Sequence, residues 1–295
     1  MGLREDIKAG VFDETKSNKP KGKKVRGKAE ESGLSDSPLQ IMIEKKLNDL
    51  FYLPPKYDAE LEMLEYQYAQ EGDERYGLHA SAILAPESEF CYREQVLSLF
   101  YKQIQGENIP IGLKRIFEEG KSIGTKWQRL FIRGGIAVKE DLDVSRFVKK
   151  YDLSYTPDGI INIYGKRIIT EMKSQNTFLF KKNKGHPSGV KQLKFYMYME
   201  NTYGDGADAG FVLVEDKNDQ NFKVLLVEEV DPAELEPYIE RLEMIQEYKG
   251  IFLEERKMVP RHKSCTSSSC KMAQKCNMRD ACWNIGMGRV RLGKI

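Results

Sequence analysis

Asp158, Glu171 and Lys173 are the residues whose types and spacing could do chemistry together. They sit at the ends of two short apolar runs in YTPDGIINIYGKRIITEMKS, residues 155–174, which turn back on one another near Tyr164-Gly165-Lys166. If the turn is Tyr164-Gly165, counting outward sets Asp158 opposite Glu171. If it is Gly165-Lys166, with the glycine supplying the positive φ of a type II′ turn, Asp158 faces Lys173 and Glu171 is its diagonal neighbour. The registers differ by two residues, so both leave the three side chains on one face. Directly opposed Cβ atoms lie about 5 Å apart and diagonal ones about 7–8 Å. Two carboxylates that close repel unless a cation or proton joins them. Oxygen ligands of this kind suit Mg²⁺ or Mn²⁺, which also bind substrate phosphate. The lysine could then orient or deprotonate the attacking water, or neutralise charge developing on phosphate. The implied chemistry is phosphodiester hydrolysis.

Such a hairpin needs a scaffold. DGIINIY, KRIITEM, AGFVLVED and FKVLLVEEV are β-branched and bounded by turn residues, and read as four strands. Between the second and third, SGVKQLKFYMYMENTYG has helical spacing. Ile41, Ile43, Leu47 and Leu50, then Leu61, Leu64 and Tyr66, suggest two helices broken at LPPKYD. Ser88 could cap a third, running through Cys91, Val96, Leu97 and Phe100, and a fourth runs near 113–133. A last long helix is expected after Asp231-Pro232, with Asp231 as N-cap. The reading is a mixed α/β architecture: a basic tail over 1–38, a helical segment over 39–77, a core over 78–260 and a cysteine-rich end over 261–295.

Composition narrows the class. With 40% apolar and 31% charged residues the chain is of ordinary soluble type. No apolar run reaches membrane-spanning length and the start, MGLREDIKAG, lacks a secretory apolar stretch, so a soluble, cytoplasmic protein with no membrane partner is expected. The net charge of +2 conceals a basic block from Lys16 to Lys28, which reads as a solubilising tail or as a nucleic-acid-attracting arm or localisation signal. Of five cysteines, Cys91 stands alone while Cys265, Cys270, Cys276 and Cys282 crowd the end. In a reducing compartment that favours metal over disulfides.

Pro157-Asp158, followed after the hairpin by Glu171-Met172-Lys173, resembles the PD-(D/E)xK nuclease motif. Gln192 and Tyr196 in KQLKFYMYM resemble the Q-x₃-Y of its RecB-like branch. The resemblance covers about 78–285 through scattered motifs. It implies a restriction-endonuclease-like core, a central mixed sheet flanked by helices, with Gln192 and Tyr196 beside the site helping to place DNA. It also implies that the Met172 carbonyl joins Asp158 and Glu171 around the metal. One group of these nucleases, including AddB-type domains and CRISPR-associated adaptation exonucleases, holds a 4Fe–4S cluster by one cysteine before the core and three after it. Carried over, that assigns Cys91, Cys276 and Cys282, with Cys265 preferred to Cys270 as the fourth. Four terminal cysteines could instead hold structural Zn²⁺ by themselves, leaving Cys91 a buried thiol.

The sequence departs from the family's pattern in three places, one being that the terminal spacing C-x₄-C-x₅-C-x₅-C is one cysteine richer than needed. The G-x₃-H histidine falls at Gly124, after Gly120, so the third metal ligand is absent or replaced, with Glu118 or Glu119 as candidates. A common glycine before the aspartate is Tyr155. The expectation is a metal-dependent DNA exonuclease or endonuclease, acting on duplex ends or single strands in recombination or repair. The alternative is a DNA-binding or recombination-partner protein that cuts poorly and carries a structural zinc or Fe–S group. A helicase or recombinase partner is common in the family; oligomeric state is not written in the sequence.

Overall fold

Apolar periodicity sorts this chain onto the two faces of a four-stranded sheet. The computed structural model describes residues 37–54, 77–101, 111–142, 145–182, 185–255 and 258–284. The basic block and the expected helix around Leu61 to Tyr66 lie outside the described residues.

Helix α1 (Pro38–Asp49) starts at Ser37, whose hydroxyl accepts from the Gln40 N–H, with proline in the first turn. Short β1 (Leu78–His79) and single-turn α2 (Ala80–Ile83) precede α3 (Tyr92–Ser98). Helix α3 begins at Cys91, not at Ser88: the Glu89 and Phe90 amides are taken by the Pro86 carbonyl in a separate turn. The long α4 (Ile111–Arg133) leads to β2 (Arg146–Val148), β3 (Leu153–Tyr155), β4 (Gly159–Ile163) and β5 (Lys166–Gln175). After β5 come α5 (Thr177–Lys182), α6 (Pro187–Tyr203), β6 (Ala209–Asp216) and β7 (Phe222–Val227). Asp231 caps a 3₁₀ turn, Pro232–Glu234, by accepting from the Ala233 N–H. The long helix α7 (Glu236–Glu254) then starts with Pro237 in its first turn, where a missing N–H costs nothing. Two short helices, α8 (Lys271–Lys275) and α9 (Arg279–Asn284), carry the terminal cysteines.

The main sheet has the order β4-β5-β6-β7, with β5 and β6 parallel and both outer pairs antiparallel. The parallel pair requires a crossover, which α5 and α6 supply. Strand β6 is buried along its whole length, as its unbroken apolar run requires of a central strand. Ile160, Ile169, Val212 and Val214 on one face pack with Leu193 and Met197 of α6. On the other, Ile161, Ile168, Phe211 and Leu213 pack with Trp127 and Phe131 of α4 and with Leu47 of α1. A second sheet, β1-β3-β2, has strands of two or three residues. That is too short for any periodicity to show, and none of its strands is anticipated in the sequence. No helix among the described residues is long and apolar enough to cross a membrane.

Candidate active site

The hairpin register decides which acid faces which. Tyr164 (φ +52°) and Gly165 (φ +77°) form the two-residue turn, both left-handed, as type I′ demands. The Asn162 side chain accepts from the Gly165 N–H at 3.0 Å and fixes it. Ile163 pairs with Lys166 and Gly159 with Thr170, so one further step outward sets Asp158 against Glu171. This is the first of the two registers. Asp158 Oδ2 accepts the Met172 N–H, which ties the aspartate to the strand that carries the other two residues.

Glu171 and Lys173 point to the face covered by α6. Glu171 is only 2% exposed and pairs through Oε1 with the Lys173 ammonium. A carboxylate so buried is costly unless partnered, and the lysine supplies the charge. Burial pulls the Lys173 pKa down, but the Glu171 carboxylate beside it, and Asp158, lift it above the ordinary value. Lys173 Nζ also donates to Gln192 Oε1 at 3.2 Å, and Gln192 Nε2 donates to the Tyr196 hydroxyl at 2.7 Å. Glutamine and tyrosine, one turn apart on α6, therefore meet the site as a hydrogen-bonded rail.

The rail continues into the fold. Tyr196 stacks on Tyr155 at 5.5 Å between centroids, and the Tyr155 hydroxyl donates to Glu200 at 3.0 Å. Burial and then the charge of Glu200 raise the Tyr155 pKa, so the phenol stays a donor. Glu200, fully buried, is answered by Arg146 at 3.1 Å and Arg167 at 3.2 Å. Tyr155, at a position that is commonly glycine in the resembled family, is thus the ring that backs Tyr196.

Two supports escaped the sequence reading. Gln128 of α4 is 6% exposed and donates to the Asp158 carbonyl at 3.0 Å. It lies one turn beyond Gly124, on the same helical stripe, so periodicity alone could have flagged it. At Gly124 an added Cβ would meet no atom within 4 Å. Glu118 and Glu119, the candidate replacements for a ligand, are exposed and paired with Lys121 and Lys217. The second support is Gly189, in the first turn of α6. A Cβ there would sit 2.9 Å from His186 Nδ1 and 3.1 Å from Lys173 Cγ, so only glycine lets the helix pass this close to the lysine stem.

The cysteines gather elsewhere in the same unit. Cys91, Cys265, Cys276 and Cys282 line one cavity with Glu94 and Arg261, and all five cysteines are free of disulfides. Cys270 caps α8, accepting from the Ala273 N–H at 3.4 Å, and is not part of that lining. Backbone donors, Ala273 first, hold its thiol down to about 7. Burial instead pushes Cys265 up to about 11 and, with the charge of Glu94, raises Cys276. Two guanidiniums converge on Cys282: Arg261 Nε at 3.3 Å and Arg93 Nη1 at 3.8 Å from Sγ. The sequence reading missed both arginines, although Arg93 lies two residues after Cys91.

Among the described residues no group of three or more His, Cys, Asp or Glu is arranged to hold a metal ion. The two carboxylates of the hairpin are the right donors for a hard cation, and substrate oxygens or water would complete its shell. The four thiols are the right donors for iron. They share a cavity with cationic partners that would offset thiolate charge, though they are not drawn into a coordinating constellation.

No protein-family model matches the sequence, and no curated protein matches it. Among solved structures, the crystal structure of SSO0001 is similar with a TM-score of 0.39 and 15% identity, over 74% of this chain and 93% of that one. An alkaline exonuclease from Laribacter hongkongensis is similar with a TM-score of 0.39 and 17% identity, over 61% of this chain and 91% of that one. Overlap and identity at this level do not identify the chain.

Proposed function

We propose that the chain is a divalent-metal-dependent DNA nuclease. The observation that carries this reading is the pairing of Asp158 with Glu171 across the hairpin, with Lys173 bonded to both Glu171 and Gln192. Asp158 and Glu171 would hold Mg²⁺ or Mn²⁺, with the Met172 carbonyl as a further oxygen donor. When bound, such a cation supplies Lewis acidity at the phosphate. The chain does the rest by positioning. Gln128 and the Met172 N–H fix Asp158, while Gln192, itself donating to Tyr196, accepts from the lysine ammonium and would hold it where phosphate charge develops.

The cysteine cavity is proposed as the seat of a 4Fe–4S cluster held by Cys91, Cys265, Cys276 and Cys282. Its support is that these four of the five cysteines line the cavity. A cluster there would tie the start of α3 to the terminal segment.

A weakly cutting DNA-binding protein is the second reading, favoured by the open space at Gly124, where the resembled family places a third protein ligand. End-labelled DNA incubated with Mg²⁺ or Mn²⁺ separates the two. Cleavage that Glu171→Gln abolishes without loss of binding supports the nuclease; binding without cleavage by the wild type supports the other.

A further inference from the structure

Immediately beyond the site, α5 presents an aromatic ring to solvent from an unusually well-anchored mount. Phe178 is 68% exposed and its neighbour Leu179 39%, while Phe180 is turned inward at 7%. Single exposed apolar residues are ordinary on protein surfaces. Here, however, the short helix is pinned on every side. The Asn176 side chain accepts the Leu179 N–H at 2.9 Å, and Thr177 Oγ1 donates to the fully buried Asp216 at 2.8 Å. Asn218 Nδ2 donates to Thr177 Oγ1 at 2.8 Å. Lys223 donates to the Phe180 carbonyl and lies 4.1 Å from that ring. A segment held by this many bonds has little freedom to fold Phe178 away.

One cation lies beside the ring and a second stands in the same helix. Lys182 Nζ lies 5.4 Å from the Phe178 centroid, and Lys181, which also acts on the carboxylate of Asp216, makes a 3.7 Å contact with Asp219, both partners well exposed. Such an exposed pair is worth little and gives way readily to a phosphate. Position is the third element. Gln175 lies on the same face of β5 as Glu171 and Lys173, about 7 Å beyond the lysine, and α5 starts two residues later. The chain passes Lys173 again at Gly189, so α5 belongs to the stretch of chain between two points that flank the lysine.

We propose that α5 is a stacking platform for single-stranded nucleic acid, with Phe178 taking the face of a base and Lys181 and Lys182 the flanking phosphates. Stacking of this kind tolerates any base, because every base has a π-face, and cationic neighbours follow the backbone. A duplex buries its base faces and could not use the ring, so the platform selects frayed or single-stranded ends. The inference rests on the nuclease reading only for the direction in which the strand is led, and binding can be read without cleavage.

The test is fluorescence anisotropy of a labelled oligothymidylate with the full chain in EDTA. The wild type should bind, Phe178→Ala should weaken binding roughly tenfold, and Phe178→Trp should bind as the wild type does. Indole emission of Phe178→Trp should be quenched by the oligonucleotide beyond the background of Trp127 and Trp283. On an oligonucleotide made wholly of abasic sites, Phe178→Ala and the wild type should be equal. Three results overturn the platform: no wild-type binding, unchanged affinity in Phe178→Ala, or a loss in Phe178→Ala that persists on the abasic strand. A wild type that fails to cleave in Mg²⁺ or Mn²⁺ yet shows the Phe178 dependence sinks the nuclease reading and leaves the platform standing.

Discussion

At the scale of single residues, the candidate site is a set of charges held by neighbours that do no chemistry. Gly189→Ala adds only a methyl group, yet it must displace His186 and press on the Lys173 stem. Turnover should fall about tenfold to a hundredfold with the fold intact, as steady-state rates and a melting curve together would show. His186 is a second handle. Its Nδ1 accepts the Gly189 N–H at 3.0 Å, and burial, then the charge of Lys173, lower its pKa from 6.5. A depressed folded value means the neutral ring's contribution is present above pH 6.5 and is lost as pH falls through the folded pKa. Melting temperatures taken on acidification should fall more for the wild type than for His186→Asn, which keeps the cap without a titrating ring. The acids and lysine were legible because a hairpin converts sequence distance into spatial distance by simple counting. Arg93 and Arg261 were not, since what makes them matter is a partner 21 or more residues away, and Gln128 could be flagged by its helical stripe but not by its bond to Asp158.

Elements were legible where a period had room to repeat. The four long strands and α4, α6 and α7 show it; β1, β2 and β3 are too short, and their pairing is decided by residues far along the chain. Helix α5, between β5 and α6, is too short for a period to show, and it forms because Asn176 caps it and Phe180 is buried beneath it. Turn chemistry was the ambiguous signal. A type II′ turn would have put its glycine first, whereas the Asn162 side chain locks a type I′ turn and forces Tyr164 to positive φ. Tyrosine has no means of easing that strain, and its ring is 62% exposed. Tyr164→Asn should therefore stabilise the protein by about 0.5–1 kcal/mol and leave activity unchanged, measurable by urea unfolding.

Across the whole molecule, the sheet separates two apolar cores, and the terminal segment relies on little of either. Leu97, Met278 and Cys282 are the buried members of the small cluster that holds it, beside the cysteine cavity. If iron ties that cavity, its removal should raise hydrogen exchange over 258–284 and leave β5 and β6 protected. Cys265→Ser should lose iron, and Cys270→Ser should keep it, because only the former lines the cavity. Iron analysis after anaerobic purification reads both. The central claim lies at the hairpin, and the most direct measurement is cleavage of end-labelled DNA by the wild type, Glu171→Gln and Lys173→Ala, with melting curves and DNA binding recorded alongside. The account expects cleavage that requires Mg²⁺ or Mn²⁺ and falls at least about a hundredfold in each variant while binding survives. Undiminished cleavage in the two variants, or none by the wild type with either metal, would contradict it.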